Sequence, residues 1–318
     1  MAVPSNTQLT YASVGNRESL ADIIYRVEPE DTPFQSAIAR GKATAVFEEW
    51  QTQALADVDT DNAVLEGDDT AAVAVTPTDR IGNYCQISKK AFRVSGTQET
   101  VDKAGRKSEI AYQQMLKGLE LRRDIEAIIT RTQGRSAGAA GTARKARALE
   151  SWIETNDNRG GTGAAAADAE SAPTDGTQRD FTEALLRDVI QQCYTSGADP
   201  SLVMVGPINK MNASGFQGRS TARQNVDEKT VLGAASLYTS DFGDLRVVPN
   251  RFQRDRTAFV LDPSYAEMRW LRPIKSEKLA KTGDSELYHL IGEWTLCMKN
   301  EQAHGVVADL NTAVLPFS

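Results

Sequence analysis

The chain has 318 residues with a formal net charge of −7, and 25% of its residues are charged. The acidic balance excludes a protein whose task is to coat DNA, because such a domain carries a basic surface. No apolar run reaches the roughly eighteen residues of a membrane span, and the polar first eighteen residues lack the apolar core of a secretion signal. Three widely separated cysteines indicate no disulfide framework and favour a reducing compartment.

The N-terminal segment is predicted to be a polar arm that becomes helical. "RESLADIIYRV" places apolar side chains every three to four residues, as one helical stripe of Leu20, Ile23, Ile24 and Val27. "DTPFQSAIARG" predicts a short helix with Thr32 as its cap, Pro33 in its first turn and Gly41 at its end.

The next segment has an unusual distribution of charge. Residues 43–79 contain no lysine or arginine but nine acidic residues, namely Glu48, Glu49, Asp57, Asp59, Asp61, Glu66, Asp68, Asp69 and Asp79. Residues 80–107 reverse this balance, with Arg80, Lys89, Lys90, Arg93, Lys103, Arg106 and Lys107. The alternation in "TAVFEEWQT", "AAVAV" and "RIGNYCQIS" predicts strands. We expect a two-stranded ribbon with an acidic tip and a basic base, about fifteen residues per strand and roughly 50 Å long. The alternative interpretation of this segment is a solvated acidic loop.

A long helix is predicted over residues 107–134, and its apolar stripe changes face midway. One cluster contains Tyr112, Met115, Leu116 and Leu119, and a second contains Leu121, Ile125, Ile128 and Ile129. A helix in one simple core keeps one face, so we expect this helix to pack on different partners at its two ends.

The second half mixes helices and strands. After a Gly/Ala/Asp-rich loop, a helix closed by Gly197 precedes the buried strand "SLVMVG" and a helix that begins at Pro207. Strands are predicted in "LRVVPN", "TAFVLD", "AEMRWL", "LYHLIGEWTLCMKN" and "HGVVADL". There is no regular βαβ repeat, which predicts the α+β class.

"GRSAG" fits the nucleophile-elbow pattern and makes Ser136 a candidate hydrolase nucleophile, which would need His289 or His304 nearby. A helix precedes Ser136 where the pattern requires a strand, so we interpret the segment as a joint that ends the helix. "GTGAAA" likewise lacks the preceding strand of a dinucleotide site.

"DVDTDNAVLEGD" resembles a calcium loop with Asp57, Asp59, Asp61 and Asp68 as oxygen ligands. Asn62 stands where such a loop has glycine, and Asp68 where it has a bidentate glutamate. A serine hydrolase and a calcium-binding interaction protein are therefore the alternatives to an assembly protein. No catalytic residue, cofactor or metal ligand is predicted.

"DTPFQSAIARGKA", "EEWQT", "EGDD", "TPTDRIGNYCQISKKAFRVSGTQ" and "VDKAGRKSEIAYQ" occur in this order. With this series the sequence resembles the major capsid proteins of tailed bacteriophages with the Hong Kong 97-type fold. The similarity covers most of the chain and is most specific between residues 31 and 135. The resemblance implies an N-terminal arm at 1–40, an extended loop at 41–95, a peripheral domain at 96–149 and 286–318 with the spine helix at 107–134, and an axial domain at 150–285.

The resemblance also implies a structural protein of the virion, synthesised in the host bacterial cytoplasm. Its copies would form hexamers and pentamers of an icosahedral head around double-stranded DNA, without sequence-specific binding and without a membrane. The other implied partners are a portal and a separate scaffolding protein, with a decoration protein left open. The family's covalent cross-link needs a lysine on the extended loop, and this loop has none between Lys42 and Arg80.

The candidate inter-subunit contacts are one tryptophan and the acids of the loop, together with the cations that follow it. They are Trp50, Asp57, Asp59, Asp61, Glu66, Asp68, Asp69, Lys89, Lys90, Arg93, Arg106, Lys107, Arg122 and Arg123.

Overall fold

The computed structural model describes residues 31–56, 58–67, 74–216 and 237–314. Its helices are α1 (Pro33–Ala37), α2 (Gly96–Thr100), α3 (Glu109–Ile129), α4 (Leu149–Trp152), α5 (Glu183–Thr195) and α6 (Pro207–Ser214). Its strands are β1 (Ala39–Lys42), β2 (Phe47–Thr52), β3 (Asp79–Tyr84), β4 (Gln86–Ser95), β5 (Asp157–Asn158), β6 (Leu202–Val205), β7 (Leu237–Ser240), β8 (Gly243–Pro249), β9 (Ala258–Leu261), β10 (Ala266–Lys278), β11 (Ser285–Met298) and β12 (Gly305–Val307). The arm helix predicted at residues 17–27 lies outside the described residues.

A four-stranded sheet in the order β1-β10-β11-β4 supports the long helix α3. β1 is parallel to β10, and the other neighbours are antiparallel. α3 begins where Ser108 Oγ accepts the amide of Ala111 and where the Glu99 carboxylate accepts the amide of Glu109, a capped start that satisfies free helical donors. Of the two predicted apolar clusters of α3, the second is in the core, where Leu121, Ile125 and Ile129 are fully buried.

A six-stranded sheet in the order β5-β12-β9-β6-β8-β7 is covered on both faces. Met204 and Phe259 point into the core shared with α3 and the four-stranded sheet, whereas Val203 and Val260 point into a second core with α5. Burial on both faces explains the uninterrupted apolar run of β6, which the sequence predicted as a buried strand.

Two local predictions of the second half are confirmed because their signals are backbone constraints. Gly197 follows α5 with a φ of +89°, a conformation that a side chain disfavours. Pro207 is the first residue of α6, where its missing amide costs nothing.

Three predictions near the ribbon need correction. The helix expected to end at Gly41 stops at Ala37, because Gly41 lies in β1 and pairs with Arg269 of β10. The single strand predicted in "RIGNYCQIS" is instead two strands, β3 and β4, separated by Cys85. The amide of Cys85 donates to Val46 O at 2.8 Å.

The paired part of the ribbon is also shorter than expected. β2 and β3 pair from Phe47–Tyr84 to Thr52–Asp79, six residues per strand, or roughly 20 Å. Residues 53–56, 58–67 and 74–78 continue from it without strand pairing. The strand predicted at 71–75 lies outside the described residues at 71–73 and is not a strand at 74–75.

Candidate assembly surfaces

The foot of the ribbon is anchored on the body by the side chain of Asn83, which is fully buried in β3. Its Oδ1 accepts the amide of Arg147 at 2.8 Å, and its Nδ2 donates to Leu296 O at 2.8 Å and to Arg147 O at 3.3 Å. One amide group thus joins the ribbon to the segment before α4 and to β11.

Arg135 provides a second anchor from the loop after α3. Its Nη1 donates to Gly82 O at 2.6 Å, and its guanidinium lies over the Phe47 ring at 5.2 Å. Trp50, a candidate inter-subunit residue, is partly buried here and packs on Trp152 with ring centroids 5.6 Å apart. Within the chain, Trp50 therefore contributes to the foot of the ribbon.

The acids at the foot are paired within the chain. Glu48 is buried and forms an ion pair with Arg269 at 2.9 Å, and Glu49 pairs with Arg80 at 3.0 Å. Burial raises the pKa of the neighbouring Cys85 thiol to about 11, with Glu293 and Glu48 adding to the effect. The Glu48 pair is therefore part of the body, whereas the Glu49 pair lies on the exposed surface of the ribbon.

The acids of the tip are placed differently. Asp59, Asp61 and Glu66 are exposed, and none of them forms an ion pair with another described residue. The amide of Asp61 donates to Asp59 Oδ1 at 2.9 Å, a local turn. The candidate residues Asp57, Asp68 and Asp69 lie outside the described residues.

Large apolar side chains lie beside these acids, and the charge pattern alone did not reveal them. Five are strongly exposed: Leu55, Val58, Val64, Leu65 and Val75. Leu55 is 96% exposed and Val75 is 90% exposed. Within the chain, no described core covers these five side chains.

Six of the seven candidate cations fall into two groups. Lys90 faces α3 and pairs with Asp124 at 2.7 Å, and Arg106 pairs with Glu109, so both are engaged within the chain. The exposed members are Lys89, Arg93, Lys107 and Arg122. Arg123 is partly buried on α3.

Arg93 and Arg106 line one open hollow of about 530 Å³ between the end of β4, α2 and the start of α3. Its other lining side chains are Phe92, Val94, Ser95, Gln98, Glu109 and Gln113. The structure thus brings two of the predicted cations together, on a surface that also offers amide groups.

The alternative sites have a structural explanation in the described residues. Ser136 lies in a short antiparallel bridge with Lys145, and its hydroxyl accepts the amide of Gly138 at 3.3 Å, with no strand before it. The amide of Gly160, directly before the "GTGAAA" loop, donates to the buried carboxylate of Asp309 at 3.1 Å, and Gly163 within the loop lies against the same carboxylate. Among the residues that the structure describes, no three His, Cys, Asp or Glu side chains form a metal cluster.

Solved phage capsid structures share this architecture. The capsid of Cyanophage A-1(L) has a TM-score of 0.66 at 13% identity, covering 95% of this chain and 98% of that chain. The capsid of the native GTA particle has a TM-score of 0.64 at 10% identity, with the same coverage. The class is therefore the Hong Kong 97-like capsid fold, a mixed arrangement of helix and sheet.

The family follows from the sequence comparison. The model of the SU10 major capsid protein family matches residues 3–311, and the chain belongs to that family. The major capsid protein of Escherichia phage Phieco32 is 29% identical over 337 aligned positions, covering 94% of this chain and 96% of that protein. The chain is a structural protein of the tailed-phage capsid shell. No helix among the described residues is both long and apolar enough to cross a bilayer.

Proposed function

We propose that the chain assembles into hexamers and pentamers of an icosahedral head around double-stranded DNA, and that the ribbon tip lies on a neighbouring subunit. The observation that carries the proposal is the composition of the tip. Its described acids have no ion-pair partner among the described residues, and its five large apolar side chains are exposed. Apolar surface of this kind is stabilised when another surface removes it from water.

The receiving surface in this proposal is the group of exposed cations beside β4 and α3: Lys89, Arg93, Lys107 and Arg122. Their charge is complementary to the tip. Each exposed pair contributes about 0–1 kcal/mol, so one contact is weak and the repetition around a shell supplies the stability. The fold of one subunit depends little on these pairs.

We assign the four-stranded sheet with α3 to the peripheral domain and the six-stranded sheet to the axial domain. Residues 266–278 were expected in the axial domain, and strand pairing supports assigning them to the peripheral domain, since β10 pairs along β11. It also supports moving 305–307 to the axial domain, since β12 pairs with β9 and β5.

The proposed partners beyond the chain itself are a separate scaffolding protein, a portal and, where the head carries one, a decoration protein. The packaged DNA is enclosed without sequence-specific recognition, consistent with the net charge of −7. The role is non-enzymatic in this proposal, because no strand directly precedes Ser136, His304 is fully buried and His289 contacts Glu277.

The test is electron microscopy of the purified, concentrated protein and of a charge-reversed triple variant, Asp59→Lys, Asp61→Lys and Glu66→Lys. We expect the natural chain to form shells or capsomers, and the variant to form fewer while keeping its circular dichroism and melting temperature. Raising salt to 1 M, where the screening length is about 3 Å, should weaken early assembly in the same direction.

Two matched variants make the outcome specific. The neutral variant Asp59→Asn, Asp61→Asn and Glu66→Gln should form shells to an intermediate extent. Adding Lys89→Glu and Arg93→Glu to the charge-reversed triple variant should restore part of the shell formation. A reversed triple that assembles normally at low salt would show that the acidity of the tip is only a solvated surface.

A further inference from the structure

The N-terminal half of α3 carries an apolar stripe that points away from the sheet beneath it. The sheet side is marked by Gln114, whose Nε2 donates to Ser276 Oγ at 3.1 Å, and by Gly118, where an added Cβ would lie 3.6 Å from Leu290 Cδ2. Four apolar residues lie about 130° around the helix from these positions, and we call them the α3 stripe: Tyr112, Met115, Leu116 and Leu119. Met115 is 52% exposed, and Tyr112, Leu116 and Leu119 are partly buried.

The sequence contains one unassigned segment that matches this stripe. Residues 17–27, which lie outside the described residues, are predicted to form a helix with the stripe Leu20, Ile23, Ile24 and Val27. From Leu20 to Val27 is seven residues, and from Tyr112 to Leu119 is also seven. Both stripes therefore extend over roughly 10 Å of helix.

The point at which the described chain begins brings the two stripes within reach. The amide of Phe34, in the first turn of α1, donates to Glu126 Oε1 on α3 at 2.8 Å. Leu119 is seven residues from Glu126, roughly 10 Å along the helix axis. The six residues from Val27 to Pro33 span up to about 20 Å when extended, which covers that distance.

We propose that residues 17–27 dock as an amphipathic helix on the α3 stripe of the same chain, with Val27 near Leu119 and Leu20 near Tyr112. The first half of α3 then has its own partner, distinct from the sheet that buries the second half. This contact forms within one subunit, so it does not depend on the assembly proposed above.

The direct test is a disulfide between the two stripes. The variant carries Ile24→Cys and Met115→Cys, and the control carries Ile24→Cys and Tyr194→Cys, a similarly exposed position on α5. The three natural cysteines are buried, and burial raises the pKa of Cys85 and Cys297 to about 11 and that of Cys193 to about 12. The introduced thiols therefore react first under mild oxidation.

In dilute, dissociated subunits we expect an intrachain link between the thiols introduced at positions 24 and 115, seen by non-reducing electrophoresis and peptide mass spectrometry, and none in the control. Absence of the link in the test variant would overturn the proposal. A link that joins two chains would also overturn it, because the occupant would then be the arm of another copy.

A second measurement uses the full chain without new thiols. In the variant Leu20→Asp and Ile24→Asp, backbone hydrogen exchange should become several-fold faster over residues 112–119. It should stay unchanged over residues 121–129, because Leu121, Ile125 and Ile129 are buried in the core. Equal exchange over 112–119 in the variant and the natural chain would contradict docking.

Discussion

The backbone amide of Phe34 donates a hydrogen bond of 2.8 Å to Glu126 Oε1, across 92 residues of sequence. The same carboxylate accepts the amide of Gln35 at 3.1 Å and Nδ2 of Asn250 at 2.7 Å. It closes the N-terminus of α1, where Thr32 makes no side-chain cap, and connects that helix to α3 and to the end of β8. Burial raises the pKa of Glu126, and the donated hydrogen bonds oppose that rise.

We therefore expect Glu126→Gln to destabilise the subunit by about 1–3 kcal/mol, because the new amide presents its own hydrogens to groups that are donors and leaves at least one of them unpaired. Urea denaturation measures the change. Glu120→Gln, on the same helix but only partly buried, is the control and should stay within about 0.5 kcal/mol. Equal stability of the two variants would contradict this role of Glu126.

Asn83 should be the residue that holds the ribbon at its foot. Asn83→Ala leaves the buried amide of Arg147 and the carbonyl of Leu296 without their partner, which we expect to cost about 1–3 kcal/mol. Hydrogen exchange over 47–52 should become faster than in the natural chain. Asn62→Ala, at the exposed tip, should change neither quantity. Unaltered exchange in Asn83→Ala would show that Arg135 and Trp50 suffice as anchors.

His304 should make the subunit sensitive to acid. Its ring is fully buried, and burial lowers its pKa to about 4, while Asp262 and a hydrogen bond with the Tyr265 backbone oppose the shift. A lowered folded pKa means that the unfolded chain takes up the proton first. Stability is therefore complete above pH 6.5 and is lost as the pH falls towards 4, by up to about 3 kcal/mol.

Denaturation at a series of pH values measures this dependence. The part due to His304 should disappear in His304→Gln and persist in His289→Gln, whose ring is only partly buried. Identical pH profiles for the natural chain and His304→Gln would assign the acid sensitivity to other groups.

Ser136→Ala should leave assembly unchanged and stability within about 0.5 kcal/mol, because the hydroxyl makes one weak contact with the amide of Gly138 in its own loop. Shell yield by electron microscopy and an esterase assay on the natural chain and the variant are the measurements. An esterase activity that the substitution abolishes would revive the nucleophile hypothesis.

Several features were determined by the sequence itself because their signals are local. The period of apolar residues predicts α3 and the change of face along it. Gly197 and Pro207 mark the end of one helix and the start of the next, since each restricts the backbone at its own position. The absence of lysine and arginine from residues 43–79 marks an acidic segment, although Glu48 within it is buried.

Only the tertiary structure decided which distant groups meet. Gly41 is in a strand because β10 lies beside it, the strand at Cys85 breaks because Val46 O takes its amide, and Asn83 reaches Leu296 across 213 residues. Such partners depend on sheet register and on burial, which arise when elements far apart in sequence pack together. A single chain's sequence pattern shows that Asn83 and Glu126 are polar, but only packing determines that they are buried and which donors and acceptors satisfy them.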